Sequence, residues 1–455
     1  MDANFIALIV LALWGPITLY AFKRTTVVRA VAFGVFGGVL LMPNHAAIKL
    51  PAITAFTKQT FIAVWAVVGL FMVAKVRYVS PWRGRGKWFL VAVVGGIGTG
   101  LTNGEVQIFG PRVVPGIGLY DSYHMILADV LQVLMPFWAG AIVATSAARL
   151  QEMLRLLAFY LLLYSVFVIA ELRLSPVFHR WVYGVNAFED FSMAMRGGGY
   201  RPNVFLSHGL ELAILQFCGV MSAAVHAKLD LVIWEKLKRP RLTFAWFFGV
   251  QVLVKSLGGL VFATVGSILI WFFRPKMQLR VAAAVALIVM AYPALRLNHM
   301  IPDKEIVEFV REHTNEERAG SLNFRFTNEQ SLVDKSMRKL WFGWGQYSRA
   351  VLFDPVSGDE LSVRDGAWII TLGERGLLGF VGIFGLLVFP VIVAYRRLKH
   401  AHDPRLKRLI GALAIIVAFA TLDLVPNGMF NTLAFFFAGL LDGVNENVLR
   451  PGRRA

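Results

Sequence analysis

Charge is scarce in this 455-residue chain: 16% of the residues are Asp, Glu, Lys or Arg, against 57% hydrophobic. Soluble globular domains carry about 25% charged residues, so that class is excluded. Cysteine is rarer still. The single thiol, Cys218, stands inside an apolar run and supports neither a disulfide nor a thiolate metal site. No His, Glu and Asp spacing suggests a metal centre, and no glycine-rich phosphate loop follows a strand. Two internally similar halves, common in transporters, are also missing. No positive charge precedes the first apolar run, whereas Lys23 and Arg24 follow it. That order predicts an outside amino terminus and a retained first helix, not a cleaved signal.

What abounds is apolar sequence interrupted by basic clusters. Irregular backbone cannot face lipid, and the runs are too long for barrel strands. The expected fold is therefore an all-α polytopic membrane protein. The net charge of +18 comes from Lys and Arg crowded into short loops, from Lys75–Lys87 to Arg396–Arg408 and the terminal Arg450, Arg453 and Arg454. Such clusters mark cytoplasmic loops, so nucleic acid is not an expected partner. One alternating scheme puts every dense cluster inside and gives about 12–13 transmembrane helices. Between two basic flanks, Leu242–Phe273 must cross twice or dip and return, turning at Lys255-Ser256-Leu257-Gly258-Gly259. Each arm of about 15 residues reaches roughly 22 Å, short of a hydrocarbon core near 30 Å. The turn is thus expected below the outer surface, with Lys255 on the outer side.

Three regions follow: an N-terminal helix bundle over 1–296, a polar insertion over 297–366, and C-terminal helices over 367–455. The insertion is too long for a mere connector and reads as a lid over a site at the outer membrane surface. Within it, Arg325 stands between Phe324 and Phe326, with Leu332, Met337 and Leu340 following at helical spacing. This pattern predicts a short amphipathic helix lying over the membrane and ending at Gly343 and Gly345.

Four residues stand out. Arg201 enters the seventh span beside Pro202, which restrains its backbone; the plainer reading is an arginine snorkelling to lipid headgroups. Lys255 sits mid-way along an apolar stretch, where a lysine costs about 3 kcal/mol unless paired or wet. Arg325 is the third cation, and Asp365, at the mouth of the eleventh helix, reads either as a base or as an N-cap. Secondary candidates are His208, Glu211 and Arg196, with His208 better read as a satisfied helix-end histidine than as a ligand or proton-transfer group. Glu171 and Asp129 are further acids within apolar runs, each able to pair with a neighbouring helix. The topology puts Arg201, Lys255, Arg325 and Asp365 on the outer side. Three cations suit a lipid diphosphate, offsetting the charge that develops as it leaves. The carboxylate suits removal of a proton from an attacking sugar hydroxyl.

At three places the sequence resembles the bacterial O-antigen ligase and O-antigen polymerase family of integral membrane glycosyltransferases. They are Arg201-Pro202 with Phe205, His208 and Leu210-Glu211-Leu212-Ala213; the turn Lys255-Ser256-Leu257-Gly258; and Arg325 to Gly345, continuing through Asp365 to Glu374-Arg375-Gly376-Leu377-Leu378-Gly379. The likeness is strongest over roughly residues 195–385. It implies transfer of glycan from undecaprenyl diphosphate to an acceptor hydroxyl, outside the bacterial inner membrane, with inversion and without cofactor or nucleotide-sugar donor. It also implies that Arg201 and Arg325 bind the diphosphate, with Lys255 standing where the family has arginine. Ligases generally place a His-Asn pair where this chain has Asp365-Gly366, which favours a polysaccharide polymerase over a ligase acting on lipid A core. A chain-length regulator is a partner the resemblance allows. A transporter of lipid-linked glycan is the competing class, with polar residues spread through membrane depth instead of gathered on one side.

Overall fold

The computed structural model describes residues 4–48, 54–188, 194–196, 198–313, 316–429 and 432–449. Arg450, Arg453 and Arg454, assigned to the last inner cluster, lie outside them.

In chain order the helices are α1 (Phe5–Arg24), α2 (Val27–Leu41), α3 (Lys58–Val73), α4 (Gly86–Thr102), α5 (Leu119–Val143), α6 (Ala147–Leu174) and the short α7 (Phe178–Tyr183). Then come α8 (Gly209–Lys228), α9 (Pro240–Leu253), α10 (Leu257–Phe272), α11 (Pro275–Leu297), and the insertion helices α12 (Asp303–His313) and α13 (Glu316–Met337). The chain finishes with α14 (Ala367–Arg397), α15 (Pro404–Asp423) and α16 (Thr432–Asn447). Strands are confined, among the described residues, to three two-stranded hairpins: β1 (Ala47–Ile48) with β2 (Phe56–Thr57), β3 (Gln107–Phe109) with β4 (Arg112–Val114), and β5 (Met195–Arg196) with β6 (Gly199–Tyr200). Six helices, α1, α5, α6, α8, α11 and α14, are long and apolar enough to cross a membrane. The chain is an all-α polytopic membrane protein.

Small residues let the helices meet backbone to backbone, as lipid-embedded packing requires where hydrophobic segregation gives no drive. A Cβ on Gly439 of α16 would lie 1.9 Å from the Phe137 carbonyl oxygen of α5, and one on Gly140 would lie 2.2 Å from that of Phe436. At the centre, α8 and α15 are buried along most of their length.

The apolar stretch over 242–273 breaks where its sequence suggests. Helices α9 and α10, of 14 and 16 residues, are separated by Val254–Ser256, and Lys255 takes a left-handed φ of 58°. Other boundaries move for identifiable reasons. The apolar pattern predicts a seventh span from Val204, yet α8 starts at Gly209. The amide N–H groups of Asn203 and Val204 instead donate to the Glu171 carboxylate at 3.0 and 2.8 Å, which holds this segment in a turn outside the helix. Helix α6 begins at Ala147 and carries Arg149 and Arg155 in its first turns. The amphipathic helix of the insertion, α13, begins well before Arg325 and carries that residue in its middle.

Helix α14 is broken at Gly376 (φ 66°, ψ −171°). Backbone groups freed by a break inside a membrane protein need partners, and here the turn over 340–345 supplies them. Leu377 N donates to Leu340 O at 2.7 Å and Leu378 N to Trp341 O at 3.3 Å, while Trp344 N and Gly345 N donate to Gly373 O and Glu374 O at 2.7 and 2.9 Å. Glycine is required on both sides of this joint: a Cβ on Gly343 would meet Gly376 N at 2.5 Å.

Candidate functional site

The β5–β6 hairpin brings the first cations together. Arg201 follows β6 and closes the hairpin through its amide, which donates to Ala194 O at 2.8 Å. From the α9–α10 break, Lys255 Nζ reaches back to Arg196 O at 3.2 Å and lies against Gly199. Arg201 folds onto the first turn of α8, where a Cβ on Gly209 would come within 2.5 Å of its Nε. Arg201 is 5% exposed, and its buried Nε finds no hydrogen-bond partner among the described residues. Burial and the facing Arg196 pull its guanidinium down to about 10, still charged at neutral pH. A buried guanidinium at a helix N-terminus, with no carboxylate paired to it among the described residues, is an arrangement that wants an anion.

The backbone that presents Arg201 is held under strain. Val204 has φ 53°, unusual for a β-branched residue. The Glu171 carboxylate fixes it from α6, and Tyr164 Oη accepts from Phe205 N at 3.0 Å. Among the described residues Glu171 pairs with no cation on a neighbouring helix; it anchors the arginine loop through backbone amides.

His208 is the N-cap of α8, its Nδ1 accepting from Leu210 N at 3.0 Å. Burial, then Arg201 and Arg196, push it down to about 4. The ring is therefore neutral at physiological pH and its lone pair is occupied, which favours the helix-end reading over proton transfer. Two outcomes follow. His208→Asn, which keeps the cap, should leave stability nearly unchanged, whereas His208→Leu should cost about 1 kcal/mol. The folded state refuses a proton that the unfolded chain takes near pH 6.5, so this site's share of stability falls as pH drops from 6.5 towards 4. Thermal unfolding of both variants across that window checks each point; equal loss in the two would remove the capping account.

Arg325 and Asp365 form a second group. Arg325 Nε lies 3.5 Å from Asp365 Oδ2, both side chains are about half exposed, and they line a cavity of about 100 Å³ with Val425, Pro426 and Tyr292. The N-cap of α14 is Gly366, without a side-chain cap bond, so Asp365 is not the cap. Beneath the pair, Glu329 of α13 is held by Tyr292 Oη at 2.9 Å, Trp368 Nε1 at 3.2 Å and Arg296 Nε at 2.6 Å.

All four primary candidates lie at one end of the bundle but not in one cavity. The turn over 424–427 stands between the groups. Leu424, with Asp423, shares a cavity with Leu210 and Glu211 of α8 on one flank, while Val425 and Pro426 face Arg325 and Asp365 on the other. The turn is tied to α14 by Ala367 N, donating to Leu424 O at 2.9 Å. Glu211 accepts from Ser207 N and Oγ at 3.0 and 2.7 Å and also borders a polar cavity of about 420 Å³. Lys58, Asn44, His45 and Gln132 face that space too, and Lys58 Nζ donates to Phe205 O at 3.1 Å. Sequence pattern does not reveal this polar cavity; its only signal is the polarity of Asn44 and His45 beside a span.

The sequence matches no family model and no curated protein. Function therefore rests on the site itself. Three further ion pairs explain other acids: Asp129 accepts from Arg375 at 2.8 and 2.9 Å, and Glu374 takes Arg364 and Arg375 at 3.2 and 2.9 Å. Arg349, fully buried, clips the insertion to the loop carrying β3 and β4 through Glu105 and the Pro115 carbonyl.

Proposed function

We propose that this protein is an inverting membrane glycosyltransferase, moving glycan from an undecaprenyl-diphosphate-linked donor to an acceptor hydroxyl, and that it acts as a polysaccharide polymerase. The observation that carries the reading is the buried Arg201 guanidinium with no anion of its own among the described residues, beside Arg196 and Lys255. A diphosphate supplies the missing charge and leaves readily, so no separate general acid is needed. Arg325 would hold the donor from the other flank, and Asp365 would take the proton from the attacking hydroxyl. The polar cavity of about 420 Å³, with both donors and acceptors, suits a hydroxyl-rich acceptor. In this reading the six long helices and seven others (α2, α3, α4, α9, α10, α15 and α16) make thirteen crossings, and the site faces the periplasm from the bacterial inner membrane.

Purified protein in vesicles, given undecaprenyl-diphosphate-linked glycan with or without lipid A core, tests the proposal. Chain growth without core is expected. Attachment to core alone would make the enzyme a ligase, and donor that crosses the bilayer unconsumed would make the protein a transporter. Asp365→Asn should cut turnover far more than donor affinity, since asparagine keeps the shape but takes no proton. An exposed pair such as Arg325–Asp365 contributes at most about 1 kcal/mol, so folding should be unaffected. Equal losses in turnover and affinity would argue against a base.

A further inference from the structure

The opposite end of the bundle carries a second site. There α10 turns into α11 and α14 turns into α15, and a cavity of about 500 Å³ opens between the two turns. Arg274, Lys276, Arg396, Lys399 and Lys407 line it, together with Tyr395, and among the described residues no carboxylate does. Topology alone calls for basic residues at such an end, so their number is not the argument. Their arrangement is. Two cations at the same end are compensated by carboxylates: Arg85 holds Asp442 and Glu446 at 2.5 and 2.9 Å, and Arg397 holds Glu446 at 3.0 Å. The five lining cations come from three segments onto one concavity, where they repel one another unless an anion sits among them. On either side of Arg274 and Lys276 the chain presents an apolar flank: Phe272 is 81% exposed, Phe273 42% and Met277 37%. A soluble anion has no use for such a flank, whereas a lipid has both an anionic head and chains to lay along it.

We propose that this cavity binds the phosphate-bearing headgroup of an anionic phospholipid, with its acyl chains against Phe272, Phe273 and Met277. Basic pockets between transmembrane helices are suited to such headgroups. The site is independent of the transfer chemistry at the other end and stands or falls separately.

The test uses the full-length protein in phosphatidylcholine nanodiscs with a graded fraction of phosphatidylglycerol, read by thermal unfolding and by lipid retained in native mass spectrometry. Phosphatidylglycerol is expected to raise the unfolding midpoint saturably. The triple variant Lys276→Gln/Lys399→Gln/Lys407→Gln should weaken that binding by roughly 100-fold. A control of equal charge at the same end, Lys236→Gln/Lys238→Gln/Arg241→Gln, should bind as the parent does. Replacing the three pocket lysines with arginine should preserve binding, which separates lost charge from lost fold. Equal weakening in the control would reduce the effect to diffuse surface attraction and overturn the site. Parent-like binding in the pocket triple would do the same. Inorganic phosphate that stabilised the protein equally and displaced the lipid would assign the cavity to a free anion instead.

Discussion

Replacing Arg201 with methionine is expected to lower glycan transfer by about 10²–10³-fold or more while leaving the protein as stable as before, or more so. The two halves of this expectation have one cause. Arg201 is 5% exposed, its Nε has no partner among the described residues, and the charge that perturbs it, Arg196, is of the same sign. A buried polar group without a partner costs roughly 1–3 kcal/mol, so the folded protein loses little with this guanidinium. Methionine retains the apolar stem that packs on Gly209, which Arg201→Ala would leave as a void. Transfer should fall to a similar extent in both variants, but only the alanine change should also lose stability. An arginine that merely braced the loop would show the reverse: Arg201→Met would unfold at lower temperature and lose activity in proportion. Full activity in Arg201→Met would remove the anion clamp altogether. A second readout lies next door. Arg201 is one of the groups depressing His208, so the methionine variant should move the histidine back up towards 6.5, visible in an NMR titration.

Much of the layout is legible in the sequence, and the limits are physical. The α9–α10 break can be read because a lysine and paired glycines interrupt an apolar run, and neither tolerates continuous helix in lipid. The start of α14 can be read from Asp365-Gly366 ahead of an aromatic stretch. That Arg201 and Lys255 share an end follows from alternating basic loops, but their meeting at the β5–β6 hairpin does not. That contact runs through the Arg196 carbonyl, a backbone atom without a sequence signature. The five residues ahead of His208 and α8 resemble span because Val204, Phe205 and Leu206 are apolar. Their exclusion from helix depends on Glu171, about thirty positions earlier, taking the amides of Asn203 and Val204. His208 cannot be recognised as a cap until that boundary is known. Arg349 looks like any other cation of the insertion, and only its complete burial against Glu105 and Pro115 marks it as the clip of that segment.

Gly376→Ala should be as damaging as Arg201→Met, for a different reason. At φ 66° and ψ −171°, Gly376 occupies backbone space that is nearly exclusive to glycine, at a cost of about 1–3 kcal/mol for other residues. An added Cβ would also meet Trp341 C and O at 2.4 Å. Those atoms cannot retreat, because the turn that contains them shares four backbone hydrogen bonds with the broken helix. Each bond lost adds about 1 kcal/mol, so the joint between insertion and bundle should open before the bundle unfolds. Limited proteolysis reads this directly: cleavage at Arg338 and Lys339, just ahead of the turn, should accelerate in Gly376→Ala under native conditions. Gly320→Ala is the control. It lies in α13 with no neighbour within 4 Å of an added Cβ, and in a helix interior alanine should stabilise by about 0.5–1 kcal/mol. Parent-like protection of Gly376→Ala would dissolve the joint. With protection lost, activity should fall together with stability, in contrast to Arg201→Met. The Glu374-Arg375-Gly376-Leu377-Leu378-Gly379 stretch would then owe its residues to docking the lid: glycine opens the helix, Glu374 takes Arg364 and Arg375, and the gap receives the 340–345 turn.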